Sequence, residues 1–250
     1  VCYDSRQGRP GDLFVAVPGF AADGHRFIPM ALENGAAAVL CEKAPAEGAY
    51  IQTPSTRTAL AQVSANWFGD PASGMKLIGV TGTNGKTTVT TVLKEVLERT
   101  LGAKVGLIGT IQNEIGDEII HTDNTTPFVY DLMALYARMA EAGCDDVVME
   151  VSSFGLVQQR IGETHFAAAA FTNLTQDHLD YHGTMENYYQ AKKLLFQRCD
   201  TAIIDTDDEY GKRLYGEVTC PRISYGSSSQ ADFYADAIKL RADGTSFWLC

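Results

Sequence analysis

Apolar and polar positions along the chain follow two periods. Asp12-Leu13-Phe14-Val15-Ala16-Val17 and Ala37-Ala38-Val39-Leu40-Cys41 are apolar runs of strand length. Between them Phe27, Met30, Ala31 and Leu32 recur at helical spacing, and Gly35 reads as a C-terminal cap. Thr58 to Phe68 returns to helical spacing, with Leu60, Val63, Ala65 and Trp67 among its apolar residues. These elements predict a small α/β domain over residues 1–72. The turn-rich Gly69-Asp70-Pro71-Ala72-Ser73-Gly74 marks the expected boundary. Beyond it, strands are predicted over 76–80, 104–109, 145–151, 166–172 and 201–205, and helices over 86–99, 128–142 and 187–198. Strand and helix alternate at crossover spacing. The expected fold class is therefore α/β, with a P-loop, doubly wound, mostly parallel sheet domain over residues 73–250. The final apolar run, Phe247-Trp248-Leu249-Cys250, follows a turn-like Ala242-Asp243-Gly244. Its strand partner is expected elsewhere, and the chain reads as a piece of a longer polypeptide whose second domain is incomplete.

Composition narrows the function. A net charge of −11 argues against a broad nucleic-acid or anionic-membrane surface. A polyanionic ligand must then meet a local positive site. The six cysteines are scattered with no C-x-x-C pair, and no signal peptide is visible, so reduced thiols in a cytoplasmic protein are expected. No apolar run approaches the roughly 20 residues that span a bilayer, so no membrane insertion is expected. The protein is expected to act as a monomer.

The best candidate for that positive site is Gly79-Val80-Thr81-Gly82-Thr83-Asn84-Gly85-Lys86-Thr87-Thr88. Leu77 to Val80 reads as a buried strand, and Val89, Val92, Leu93, Val96 and Leu97 follow at helical spacing. A Gly-rich turn from strand to helix presents backbone N–H groups and a helix dipole to an anion. Lys86 adds a positive charge and Thr87 a hydroxyl for Mg²⁺. The strict P-loop pattern wants Gly at position 80, where this chain has Val80; an ordinary strand-to-helix turn is the bland alternative.

Ligands of open α/β sheets gather at the carboxyl ends of strands. Glu150 ends the run Val147-Val148-Met149-Glu150-Val151, where a buried carboxylate needs a partner or a metal; otherwise it faces solvent at an edge. Asp177, His178, Asp180 and His182 follow the next strand, either as a polar turn or with His178 as a metal ligand. Lys192 has Tyr188, Leu195 and Phe196 as helical neighbours, so it lies on or beside an apolar face; a snorkelling lysine fits as well. Asn124-Thr125-Thr126-Pro127 precedes a helix that its hydroxyls could cap. Ser152, Ser153, Gln158 and Arg160 are polar contacts available to a large ligand. The clusters Asp4-Ser5-Arg6 and Asp23-Gly24-His25-Arg26 read as turns.

Seven strings occur in order: Asp4-Ser5-Arg6, Gly11 to Val17, Gly79 to Thr88, Asn124-Thr125-Thr126, Glu150-Val151-Ser152-Ser153, Phe171-Thr172-Asn173-Leu174 and Asp177 to Gly183. Together they resemble the Mur ligase family, and within it the UDP-N-acetylmuramoyl-tripeptide synthetases of peptidoglycan synthesis. The resemblance spans nearly all of residues 1–210, and Val80 agrees with the family's loop. It implies an ATP-dependent ligase that joins a diamino acid, meso-diaminopimelate or L-lysine, to UDP-MurNAc-L-Ala-D-Glu through an acyl phosphate. Thr81, Gly82, Thr83, Asn84, Gly85, Lys86, Thr87 and Thr88 would hold ATP. Thr87, Glu150, His178 and a carbamylated Lys192 would hold Mg²⁺, with Lys86, His178 and Lys192 catalytic. Ser5, Phe20, Ala21 and Ala22 would contact the uridine end of the substrate. Thr125, Thr126, Ser152, Gln158 and Arg160 would contact its muramoyl-peptide part.

Two departures stand out. Phe154 occupies a position where the family carries His, and nothing matches the family's C-terminal, amino-acid-selecting domain. The 250 residues are therefore expected to bind ligands without turnover. Three rivals remain: another ligase of the superfamily, such as a folylpolyglutamate synthetase; a P-loop GTPase or kinase; and a non-catalytic nucleotide-binding relative. Asp4-Ser5-Arg6 and the first domain favour a UDP-muramoyl substrate over folate, and no Asn-Lys-x-Asp string supports a GTPase.

Overall fold

The structure, a computed structural model, describes residues 1–19 and 22–250. A small parallel sheet comes first, formed by β1 (Leu13–Val15), β2 (Ala38–Cys41) and β3 (Tyr50–Gln52) in that spatial order. Helix α1 (Ile28–Glu33) connects β1 to β2, and α2 (Thr56–Phe68) follows β3. The strand β3 is exposed along its length, so no apolar run marks it in the sequence. Helix α2 starts two residues earlier than its apolar spacing suggests, because the Ser55 side chain accepts the Thr58 N–H.

The larger unit contains β4 (Lys76–Thr81), α3 (Lys86–Leu101), β5 (Val105–Ile108), β6 (Asn113–Ile115), β7 (Glu118–Ile120), α4 (Val129–Glu141), β8 (Asp146–Glu150), α5 (Ser153–Val157) and β9 (Phe166–Phe171). It continues with α6 (Leu179–His182), α7 (Met185–Lys193), β10 (Cys199–Asp205), α8 (Glu209–Glu217), β11 (Arg222–Gly226), β12 (Phe233–Arg241) and β13 (Gly244–Leu249). The ten strands lie in the order β13-β12-β11-β10-β9-β4-β8-β5-β6-β7. Every pairing from β5 across to β12 is parallel, and antiparallel hairpins finish both ends. The five expected strands are all present. The partner of the last apolar run is β12, its neighbour in sequence, rather than a distant strand.

Strand β8 is buried along its whole length, as a central parallel strand between two helical layers must be. Its side chains alternate between those layers. Val147 and Met149 join Leu132, Met133, Tyr136 and Met139 of α4, while Val148 joins Leu93 and Leu97 of α3. Val15, Leu40 and Leu60 of the small unit belong to the same apolar core as α4. The stretch 69–74 is a tight 3₁₀ turn after a left-handed Asp70 (φ 51°). The predicted helix over 187–198 divides. The Thr184 hydroxyl accepts the Asn187 N–H and starts α7 at Met185, and its end tightens into a 3₁₀ turn at Leu194–Gln197. Among the described residues no helix is long and apolar enough to cross a membrane.

Candidate active site

The carboxyl ends of four adjacent strands, β9, β4, β8 and β5, converge on one end of the sheet. Between β4 and α3 the loop Gly82–Gly85 turns back on itself. Gly85 adopts a left-handed conformation (φ 86°) at the helix start, and no side chain caps the helix. The first N–H groups of α3 lack intrahelical acceptors and carry the positive end of its dipole. The segment after β9 braces the loop. Thr83 N–H donates to Asn173 O (2.9 Å), Asn84 N–H to Asn173 Oδ1 (3.0 Å), and the Thr172 hydroxyl to Asn84 O (2.7 Å). A Cβ on Gly82 would sit 1.9 Å from Thr172 Oγ1. Gly82→Ala is therefore expected to destabilise the fold by about 2 kcal/mol through overpacking. A urea midpoint unchanged from wild type would show that the loop gives way instead.

Two lysines meet on this loop. Lys86 Nζ donates to Gly82 O (3.0 Å) and Thr83 O (2.9 Å). Lys192 Nζ donates to the same Gly82 O at 2.7 Å and lies 4.5 Å from the centre of the Tyr188 ring. Lys192 is 1% exposed. Burial, and next the charge of Lys86, hold its amine well below the usual lysine range. Burial also lowers Lys86, against the pull of Glu150 and Asp177. Both amines rest on carbonyl oxygens rather than carboxylates.

The sign of the Lys192 shift gives a test. An amine whose folded pKa is depressed binds fewer protons than in the unfolded chain, so stability rises with pH between the two values. Lys192→Met is expected to remove that slope and to stabilise the chain by about 1–3 kcal/mol at neutral pH. Thermal melts of both proteins from pH 7 to pH 10 check this; parallel curves would count against it.

Glu150 is 1% exposed, and three donors fix its carboxylate. Thr87 Oγ1 donates to Oε1 (2.9 Å), Thr110 N–H donates to Oε1 (2.8 Å), and Thr110 Oγ1 donates to Oε2 (3.0 Å). His178 stands apart from this pair. It is left-handed (φ 51°), its ring meets Phe154 and Tyr188 edge-on, and its N–H donates to Asp177 Oδ1. His182 is buried, stacks on Tyr188 at 4.8 Å, and lies 2.9 Å from Ser153 Oγ. Burial, then Lys192, lowers its pKa. Among the described residues no three His, Cys, Asp or Glu side chains form a metal-binding group.

A cleft of about 720 Å³ opens between the two units, lined by Tyr3, Ser5, Ala22, Phe128, Gln158 and Arg160 among others. Arg160 organises its floor. Its guanidinium lies 4.1 Å over the Phe128 ring and donates to Gln158 Oε1, Asn124 Oδ1 and Thr126 O. Arg57 crosses from α2 to donate to Gln158 O and Pro18 O.

Two family models divide the chain. The Mur ligase middle domain matches residues 80–250, and the model described as "Mur ligase family, catalytic domain" matches residues 1–67. The chain belongs to the Mur ligase family. It is 44% identical, over 99% of its length, to the UDP-N-acetylmuramoyl-L-alanyl-D-glutamate–2,6-diaminopimelate ligase 1 of Clostridium acetobutylicum. It spans about half the length of that relative (52%). A solved structure of a ligase of the same name superposes with a TM-score of 0.88 at 28% identity, covering 99% of this chain and 52% of that one. The MurF ligase from Thermotoga maritima, solved in complex with ADP, shares the fold at a TM-score of 0.64 and 23% identity, covering 99% and 55%.

Within this Mur ligase chain, Thr81 to Thr88 form the loop and first turn of α3, and Thr87 and Glu150 are in direct contact. Lys192 reaches the loop from below and touches neither of them, while His178 leans on aromatic rings. Phe20 and Ala21 lie outside the described residues. Ser5 is buried, with its hydroxyl 3.5 Å from Met30 Sδ, and Ala22 lines the cleft. Thr126 is fully buried; it accepts the Ser152 N–H and donates toward Glu150 O, so its hydroxyl holds the strand end rather than facing the cleft. Nor do the hydroxyls of residues 125 and 126 cap α4, whose N-cap is Phe128 without a side-chain bond. Ser152 instead caps α5. Sequence reasoning missed Thr110 and gave no role to Asn173, which it reads only as part of a matching string. Both follow strand ends, where the carboxyl-end rule applies.

Proposed function

We propose that residues 1–72 form the acceptor-binding unit, and residues 73–250 the nucleotide-binding unit, of an ATP-dependent, cytoplasmic amide ligase. It joins 2,6-diaminopimelate to UDP-N-acetylmuramoyl-L-alanyl-D-glutamate. The observation that carries this is the uncapped, glycine-started helix whose loop gathers Lys86 and Lys192 on one carbonyl beside the Thr87–Glu150 pair. The names and whole-chain identity of the relatives supply the acceptor.

The donor set suits Mg²⁺. Thr87 and Glu150 offer hard oxygens, and Thr87 gives its proton to Glu150, leaving its lone pairs for a cation. Such an ion supplies charge neutralisation on the phosphates. The residues do the rest. The N–H groups of α3 and the Lys86 ammonium receive the phosphates and oppose the charge that shifts as the acceptor carboxylate attacks phosphorus and ADP leaves. Arg160, held by Phe128 and Gln158, orients the acceptor in the cleft. The amine of the diamino acid then displaces phosphate from the acyl phosphate, losing one proton. Burial, which lowers the Lys192 pKa, favours the unprotonated amine, and that amine can add CO₂ and release a proton, so that a carbamate would offer an oxygen ligand in place of an amine.

Calorimetric titration of the chain with Mg-ADP, UDP-MurNAc-dipeptide and a folate tests the reading. Binding of the first two and not of folate is expected. Folate binding in competition with the dipeptide would replace the acceptor assignment.

A further inference from the structure

The hydroxyl of Thr110 touches both halves of the site. It donates to Glu150 Oε2 (3.0 Å) and lies 3.0 Å from Thr125 Oγ1. A hydroxyl has one proton, and an ionised carboxylate can only accept. Thr110 therefore gives its proton to Glu150, and Thr125 must donate to Thr110. The Thr110 N–H fixes the second carboxylate oxygen, which also accepts from Thr87. One continuous chain results: Thr87, Glu150, Thr110, Thr125. It starts on the first turn of α3 and ends on the 124–126 loop, which Arg160 clasps through Asn124 Oδ1 and Thr126 O. Arg160 itself lines the cleft. Every proton along this chain points toward Glu150, so the free lone pairs of Thr87 and Thr125 face outward, one at each end.

We infer that Thr110 is a positioning residue that couples the nucleotide site to the acceptor cleft. A ligand that pulls on Glu150 or Thr87 changes where Thr110 donates its proton, and so where the Thr125 loop and Arg160 rest. The coupling is reciprocal: each ligand tightens the other by the same factor. The inference rests on the ligand classes of the proposed function.

The experiment measures Mg-ADP binding to the chain by calorimetry, with and without saturating UDP-MurNAc-dipeptide, and the converse titration. In the wild type each ligand is expected to tighten the other about tenfold. Thr110→Ser keeps the hydroxyl and is expected to keep that factor. Thr110→Val is expected to bring it to about one while each ligand alone still binds, and Thr125→Val, which also removes a hydroxyl expected to touch the acceptor, is expected to bring it to about one at saturating dipeptide, however weakly that ligand then binds. Thr125→Val decides the matter if Thr110→Val fails to fold, as judged by its melting curve. Two bound ligands without coupling in the wild type, or full coupling in a valine variant, would overturn the inference and leave the ligand assignment standing. A wild type that binds neither ligand would overturn both.

Discussion

Glu150→Gln is expected to keep the fold and to weaken Mg-nucleotide binding by about 100-fold. The carboxylate accepts three hydrogen bonds in a fully buried position. A glutamine oxygen at Oε1 can still take the Thr87 hydroxyl and the Thr110 N–H. Its amide nitrogen at Oε2 then donates to Thr110 Oγ, whose own proton turns to Thr125. Only the second N–H of the amide lacks an acceptor, so the cost is limited to one orphaned buried donor, about 1–3 kcal/mol. The negative charge is lost, and with it the attraction to a divalent cation. The measurement pairs a thermal melt with an ADP titration at fixed Mg²⁺. A melting point within a few degrees of wild type, together with binding weakened only twofold or less, would deny Glu150 a role at the cation. Glu150→Ala separates the two effects from the other side. It strands three donors and opens a cavity, so the fold itself is expected to weaken.

Lys86→Ala carries the second large effect. The ammonium is held by two loop carbonyls, and burial lowers its pKa against the pull of Glu150 and Asp177. Phosphate oxygens offer it charge-assisted bonds to an anion, each contributing about 1.5–3 kcal/mol. Losing one or two of them corresponds to a loss of roughly 10- to 1,000-fold in nucleotide affinity. Stability is expected to move the opposite way or not at all, since the variant also relieves repulsion against Lys192. The decisive comparison is AMP against ADP. The variant should lose its preference for ADP and bind AMP as the wild type does; a retained preference would place the β-phosphate elsewhere.

Much of this site could be read before any coordinates, and the reasons are local. Gly82, Gly85, Lys86 and Thr87 lie within one turn of chain, so the order of residues nearly dictates their geometry. Five parallel strands announced themselves because burial on both faces makes them continuous apolar runs, as in β8. What escaped notice depends on distant partners. Periodicity put Lys192 beside an apolar face, and the residue it meets, Gly82, is 110 positions away. Thr110 looked like any residue after a strand; only the pairing of β5 with β8 sets it against Glu150. The three-residue strands β6 and β7 are too short to show a period, and β13 closes on its own neighbour, a hairpin that apolar content alone could not locate.

The bracing of the loop has a consequence for how the protein is made. The residues that would grip phosphate emerge from the ribosome early, whereas Asn173 and Lys192 follow some 90 and 110 positions later. At translation speeds of about 5–20 residues per second, that interval is roughly 5–20 s. For the first half of it β4 lacks both of its sheet neighbours, β8 and β9. A nascent chain released before β9 would carry the whole phosphate motif in its sequence and yet lack the Thr172–Asn173 segment that braces it.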